Sequence, residues 1–193
     1  MKYVAPKILT VMQDGWLEGA RKVPSPNYNQ RPVGRNIDMV VVHNISLPPG
    51  EFGGPYIEDF FQNQLDASQH SYFRGISSME VSAHLLIRRD GEIVQFVSFF
   101  DRAWHAGKSS WEGSDNCNDF SIGIELEGAD DIPYEQVQYQ QLACVIRSLE
   151  HHFPSITDSR IVGHCDIAPD RKTDPGNAFE WPTLRSMLEN DKS

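Results

Sequence analysis

Two histidines and one aspartate of this chain are placed where they could bind a metal ion. His43 follows the apolar run of residues 39–42, and His164 follows a second short run at residues 161–163. Asp174 comes ten residues after His164. Because ligands of open α/β sheets gather beyond the carboxyl ends of the strands, we expect both imidazoles to face one cleft. Two imidazoles and a carboxylate suit zinc with a fourth position open to water, as in catalytic sites, whereas structural zinc takes four protein ligands.

Hydrolysis is the chemistry that such a site supports. Water bound to zinc has its pKa lowered from about 15.7 to about 7, and the ion also polarises a carbonyl group, so amide cleavage is the natural reaction. A carboxylate must move the protons, and we assign this general base and acid to Glu125, which shares a strand face with Gly123. Lys172, two residues before Asp174, is our candidate for stabilising the oxyanion. Glu127 is expected outside the reacting centre.

Other interpretations of the proposed ligands stay open. A histidine at a strand end is often a hydrogen-bonded structural residue. Cys165 is a soft competing ligand, but neighbours in an extended chain point in opposite directions, and His164 is the ligand we prefer. Asp174 could form a turn, which is our interpretation of Asp166 and Asp170.

Charge and composition exclude several kinds of partner. The formal net charge is −10 and the 17 Lys and Arg residues are scattered, which argues against nucleic acid. A small anionic substrate would need local cations, and Arg171–Lys172 is the candidate pair. The alternative is that the Arg171–Lys172 pair and Glu125 are ordinary solvated surface charges.

The compartment is also an expectation from the sequence. No apolar run approaches the roughly 20 residues needed to span a bilayer. The amino-terminal residues lack the long apolar core and small-residue cleavage site of a secretory signal. Three irregularly spaced cysteines fit reduced thiols better than a disulfide framework. We therefore predict a cytoplasmic protein without membrane association.

The elements that must position these residues can be read from periodicity. Alternation and short apolar runs predict strands, an Asp-Gly turn predicts a hairpin, and three- and four-residue spacing predicts helices. The predicted strands cover residues 39–42, 84–88, 92–97, 121–127 and 161–162, and the predicted helices cover residues 56–64, 133–152 and 181–188. Residues 24–35 are predicted to be an irregular lead-in, and residues 47–55 a Pro- and Gly-rich loop. The interleaved order indicates a single α/β sheet domain.

Several long segments resemble one enzyme family. They are VVVHNISLPPGEFGG, SAHLLIRRDGEIVQFV, RAWHAGKSSW, CNDFSIGIELEG and GHCDIAPDRKTDPG. In this order they resemble the bacterial cytoplasmic 1,6-anhydro-N-acetylmuramyl-L-alanine amidases, which are zinc amidases related to phage lysozyme-type amidases and peptidoglycan recognition proteins. The resemblance runs from about residue 23 to residue 188, and long ordered segments are far more specific than one short motif.

The resemblance implies a fold, a reaction and a set of roles. It implies one domain over residues 1–193 with a central mixed β-sheet flanked by α-helices, one zinc ion, and hydrolysis of the amide between the lactyl group of anhydro-muramic acid and L-alanine in recycled muropeptides. Matching positions give the zinc ligands His43, His164 and Asp174, the catalytic carboxylate Glu125 and the transition-state lysine Lys172.

Substrate contacts and rival functions complete the expectations. We expect Asn44, Trp104, His105 and Arg171 to contact the muropeptide, although packing is an equal alternative for Trp104. One rival is a domain that binds muropeptides without cutting them, which should lack part of the metal set. A glycosidase using Glu125 and Glu127 would leave the His-His-Asp set unexplained.

Overall fold

The computed structural model describes residues 9–189, so the ends of the predicted domain of residues 1–193 lie outside the described part. Its strands are β1 (Arg21–Lys22), β2 (Tyr28–Gln30), β3 (Met39–Ile45), β4 (Leu85–Ile87), β5 (Ile93–Gln95), β6 (Asp101–Ala103), β7 (Ser110–Trp111), β8 (Ser114–Asp115), β9 (Ser121–Glu127) and β10 (Ile161–Gly163). Its helices are α1 (Tyr56–Phe61), α2 (Gln136–His152), α3 (His164–Ile167) and α4 (Trp181–Glu189). Between residues 9 and 189, no helix combines the length and apolar character needed to cross a membrane.

Six strands form a mixed central sheet in the order β1-β5-β4-β9-β3-β10. The strands β4, β9, β3 and β10 run parallel, whereas β5 is antiparallel to β4 and parallel to β1. Two further pairs, β2 with β6 and β7 with β8, lie outside this sheet. The sheet therefore brings the carboxyl ends of β3, β9 and β10 together at one edge, where we expected the site.

Helices α2 and α4 cover one face of the sheet. This face presents alternate residues of the two longest strands, such as Val40 and Val42 of β3, which are fully buried. Helix α2 buries a stripe at three- and four-residue spacing against them, formed by Leu142, Val145, Ile146 and Leu149. The strand residues that alternate with Val40 and Val42, including His43, consequently point to the opposite face of the sheet.

The opposite face is covered by α1 and by irregular segments. Met39 and Val41 of β3 pack there with Ala106, Cys117 and Phe120. Helix α1 packs nearer β4 and β5 within a second apolar cluster. Because no long helix of the described chain lies over the carboxyl end of this face, room remains for a cleft.

The observed elements confirm most of the predicted ones. The hairpin is β4 and β5, helix α2 falls within the predicted range of residues 133–152, and helix α1 ends three residues before its predicted end at residue 64. Two predictions were wrong in detail. Strand β3 continues through His43 to Ile45, and the supposedly irregular residues 24–35 contain β2. Strand β2 has three exposed residues, so it carries no apolar pattern that could predict it.

Candidate functional site

Pairing of β3 with β9 places the first two candidate residues side by side. The parallel register sets His43 opposite Glu125, two residues beyond the pair of Val41 and Gly123. Paired strands lie about 4.8 Å apart, and paired residues project to the same face. The predicted ligand and the predicted acid–base carboxylate are thus neighbours on the face that α2 and α4 leave uncovered.

Strand β10 and the turn after it bring in the other two candidate ligands. Gly163 pairs with Val42 on β3, and α3 begins at His164. The backbone N–H of Cys165 donates to the carbonyl of Asp174 at 3.0 Å, which returns the loop to the strand end. Residues 121 and 131 positions away from His43 in the chain therefore meet it in space.

The three candidate ligand atoms lie at the spacing of a metal site. His43 Nδ1 is 2.9 Å from His164 Nδ1, and each nitrogen is 3.0 Å from Asp174 Oδ2. Bonds of about 2.0–2.2 Å to a tetrahedral zinc ion would put its ligands about 3.3 Å apart. The cluster of His43, His164 and Asp174 therefore fits one small divalent ion.

The protonation of the imidazoles also fits a metal ligand role. His164 Nε2 lies 3.0 Å from the carbonyl of Ala106, which only accepts, so Nε2 carries the hydrogen and Nδ1 presents a lone pair. Burial lowers the pKa of His43 to about 4, although the contact with Asp174 opposes this shift. His43 is thus a neutral donor of a lone pair at neutral pH, as metal binding requires.

Glu125 stands in the cleft as a nearly buried carboxylate. Its side chain is 9 % exposed, and Oε2 has no hydrogen-bond partner within residues 9–189. Burial, reinforced by the charge of Asp174, raises the pKa of Glu125 well above its ordinary value, while Lys172 opposes the rise. A carboxyl group with these properties binds a proton more readily than an exposed glutamate, as a group that transfers protons must.

A cleft of about 630 Å³ opens over these residues, a size common for small-molecule sites. Its polar lining includes the His-His-Asp cluster, Glu125 and Lys172. Its lining also includes a set of large, mostly apolar side chains, Leu47, Phe60, Phe61, Tyr72, Ile76, Met79 and Val81. The cleft can therefore hold a ligand with both polar and apolar parts.

The four predicted substrate contacts all line this cleft, and each also holds the protein together. Asn44 Nδ2 donates to Asp130 Oδ1 at 2.8 Å and to the carbonyl of Pro175. Trp104 Nε1 donates to Asn29 Oδ1 at 2.8 Å. This hydrogen bond supports the alternative in which Trp104 packs within the protein.

Arg171 braces the segment of residues 104–107. Its Nη2 donates to the carbonyl of Ala106 at 2.6 Å and to that of Lys108 at 2.8 Å. These contacts hold the guanidinium at the rim of the cleft. The guanidinium is therefore a fixed positive charge, whereas the neighbouring Lys172 carries its charge at the end of a flexible side chain.

His105 lies deeper than a surface contact. Its Nδ1 is 2.9 Å from His43 Nε2, and its ring fills the space over Gly123, where a Cβ atom would come within 2.4 Å of the ring. Gly123 thus makes room for this imidazole. Sequence reasoning missed this placement, together with the contact of the Ala106 carbonyl with His164, because no local pattern reports it.

Two predicted alternatives are resolved by geometry. Cys165 is not part of the three-residue cluster, and its Sγ lies 3.9 Å from Asp166 Oδ1. Asp166 accepts from the backbone N–H of Gly163 at 2.7 Å, so it caps the start of α3, as predicted for a turn-forming aspartate.

Comparison with known families and proteins gives matches over most of the chain. Residues 33–177 match the family described as N-acetylmuramoyl-L-alanine amidase. The chain is 56 % identical over 178 residues to the 1,6-anhydro-N-acetylmuramyl-L-alanine amidase AmpD of Citrobacter freundii, covering 92 % of this chain and 95 % of the relative.

Solved structures show the same similarity in three dimensions. A crystal structure of a selenomethionine derivative of AmpD superposes with a TM-score of 0.89 at 56 % identity, covering 92 % of this chain and 98 % of the other. The Escherichia coli amidase AmiD, in complex with its substrate anhydro-N-acetylmuramic acid-L-Ala-D-γ-Glu-L-Lys, gives a TM-score of 0.57 at 27 % identity. That match covers 93 % of this chain and 65 % of AmiD.

Proposed function

The chain belongs to the N-acetylmuramoyl-L-alanine amidase family, and from this premise we propose that it hydrolyses the amide between the lactyl group of 1,6-anhydro-N-acetylmuramic acid and L-alanine in muropeptides. This reaction belongs to peptidoglycan recycling. The observation that carries the proposal is the convergence of His43, His164 and Asp174 beside Glu125 in one cleft. The AmiD complex supports the substrate class, because its ligand contains the same bond.

One zinc ion is the proposed cofactor, held by His43, His164 and Asp174. The mixed nitrogen and oxygen donors, the three-ligand count and the neutral imidazole of His43 support this choice. Bound zinc would lower the pKa of a water molecule to about 7 and polarise the amide carbonyl.

Glu125 is the proposed general base and acid. Its carboxylate takes a proton from the attacking water and returns one to the departing amine of L-alanine. The nearly buried position and raised pKa of Glu125 support this role, because a carboxylate shielded from bulk solvent binds a proton more readily than an exposed one.

Lys172 and the rim residues are the proposed substrate contacts. Lys172 stabilises the negative charge that develops on the carbonyl oxygen, and its place in the same cleft supports this role. Asn44, Trp104 and Arg171 position the muropeptide. Arg171 offers a fixed charge to the carboxylates of the stem peptide.

We place the activity in the cytoplasm, within one domain. The family resemblance implies this compartment, and the three cysteines, which form no disulfide bond within residues 9–189, support it. Cys117 and Cys144 are buried thiols, which pack as small apolar groups. The muropeptide is the proposed small-molecule partner.

Mass spectrometry of the products from a defined anhydro-muropeptide tests the function. We expect zinc-loaded protein to release the peptide that begins with L-alanine and intact anhydro-saccharide, and a chelator to abolish the release. Release of free sugars with the amide intact would instead indicate a glycosidase. Binding without cleavage would indicate a recognition domain, and either result would refute the proposal.

A further inference from the structure

We infer that His105 and Ser121 are positioning residues that fix the imidazole of His43 in the tautomer that binds zinc, through a one-way chain of hydrogen bonds ending on a backbone carbonyl. The inference rests on the proposed metal site. It concerns residues behind that site, of which only His105 was expected to have a role, and that role was contact with substrate.

The direction of the chain follows from its last member. Ser121 is fully buried, and its Oγ–H donates to the carbonyl of Cys117 at 2.6 Å. A hydroxyl has one hydrogen to donate, so Ser121 Oγ can only accept from His105 Nε2, which lies 3.2 Å away. His105 Nε2 therefore carries a hydrogen.

Counting the hydrogens of His105 in the same way determines which nitrogen of His43 carries its hydrogen. In neutral His105 the second nitrogen, Nδ1, holds a lone pair, and it lies 2.9 Å from His43 Nε2. His43 Nε2 must then donate its hydrogen to His105. The remaining nitrogen, His43 Nδ1, presents its lone pair to His164 Nδ1 and Asp174 Oδ2.

One short segment serves both imidazoles of the cluster. His105 accepts the hydrogen of His43, and the carbonyl of the next residue, Ala106, accepts that of His164. Asn118 Oδ1 in turn accepts from the backbone N–H groups of both segment residues, at 3.1 and 2.8 Å. The segment is thus a rigid template that aims two lone pairs at one point, the arrangement by which outer partners tune metal ligands.

A pair of nearly isosteric variants isolates the hydrogen bond from packing. In His105→Asn, the Oδ1 atom can replace Nδ1 as acceptor for His43, whereas His105→Leu fills a similar space without an acceptor. We expect the leucine variant to bind Zn²⁺ about 10- to 100-fold more weakly than wild type. The asparagine variant should retain most of the affinity, and His151→Leu, at the exposed end of α2, is the control.

Zn²⁺ affinity is measured by competition with a chromophoric chelator without substrate, and ¹⁵N NMR reports the tautomer of His43 in metal-free wild-type protein. Equal affinities of the two His105 variants, or a hydrogen on His43 Nδ1, would overturn the inference while leaving the amidase proposal intact. The NMR measurement needs no variant, so it decides the question even if His105→Leu does not fold. Wild-type protein that binds no Zn²⁺ would overturn the proposed site itself.

Discussion

Glu125 is distinguished from the other carboxylates of the cleft by what it lacks. Asp174 contacts two imidazoles, whereas Glu125 Oε2 has no hydrogen-bond partner in the part of the chain that the structure describes. Leaving a buried polar atom unpaired costs about 1–3 kcal/mol, and such costs persist where they serve function. An incoming water or amide group is the natural partner for this oxygen.

Replacing Glu125 with Gln should separate proton transfer from metal binding. The amide keeps the shape of the side chain but cannot take up a proton, so we expect turnover to fall by about 10²- to 10⁴-fold. Zinc content, measured by elemental analysis, should equal that of wild type. Near-normal turnover, or loss of zinc along with activity, would show that Glu125 has another role.

The sequence allowed prediction of the residues that stand on regular strands or directly after them. The strand pattern put Glu125 and Gly123 on one face, and the polar ends of two buried strands pointed to His43 and His164. The partners of the two imidazoles could not be predicted. They come from an irregular segment near Ala106, whose path depends on tertiary contacts and not on a local pattern.

At the scale of elements, β9 has a glycine, Gly123, at the position where the ring of His105 packs against the strand. A Cβ atom on Gly123 would meet that ring at 2.4 Å, so Gly123→Ala must displace it. We expect a loss of about 1–3 kcal/mol in the free energy of unfolding, from overpacking, together with weaker zinc binding. Gly75→Ala is the matched control, because a Cβ there meets nothing within 4 Å. Equal denaturant midpoints for both variants would refute this account of β9.

Glu127, at the end of β9, holds the loop that walls the cleft. Its Oε1 accepts from the backbone N–H of Gly53 at 2.6 Å, and Oε2 accepts from that of Arg89 at 3.2 Å. The Arg88 guanidinium contacts Glu127 and donates to the carbonyl of Gly54. A buried carboxylate that sequence reasoning set aside thus anchors the base of the loop of residues 47–55.

Glu127→Gln should loosen this loop without reaching the metal. Losing a charged acceptor costs about 1.5–3 kcal/mol of stability, and we expect faster hydrogen exchange at Gly53 and a higher KM with little change in kcat. Glu92→Gln, which removes a more exposed partner of Arg88, should have a far smaller effect. The same exchange rate at Gly53 in both variants would contradict the anchoring role.

Elements with strong apolar patterns were the predictable ones. Strands β3 and β9 and helix α2 each bury a long apolar face, so the periodicity of their apolar residues predicts them from the sequence. The pairs β2 with β6 and β7 with β8 have only two or three residues per strand. Tertiary contacts rather than periodicity make these short segments extended, so the sequence could not predict them.

At the scale of the whole molecule, buried neutral histidines link stability to pH. Burial, and then the charge of Arg31, lower the pKa of His84 well below its ordinary value. His84 Nδ1 accepts from the backbone N–H of Gly123. The folded protein keeps this histidine neutral, whereas the unfolded chain binds a proton below about pH 6.5. Stability should therefore be highest above that pH and should fall on acidification.

Urea unfolding of metal-free protein between pH 5 and pH 7.5 measures this link. One neutral buried histidine contributes a slope approaching about 1.4 kcal/mol per pH unit below pH 6.5, because the unfolded state binds more protons. His84→Asn keeps an acceptor for Gly123 and should reduce the slope. The exposed variant His151→Asn should leave the slope unchanged, and an undiminished slope in His84→Asn would contradict the assignment.

At the scale of the whole molecule, three proposed ligands from β3, α3 and the loop that follows α3 lie close together although they are far apart in the sequence. Crystals of zinc-loaded protein, with diffraction data collected on both sides of the zinc absorption edge, test this convergence most directly. We expect one strong anomalous peak about 2.0–2.2 Å from His43 Nδ1, His164 Nδ1 and Asp174 Oδ2. A map in which zinc binds elsewhere, or in which this cluster shows no peak, would contradict the metal site on which the proposed reaction depends.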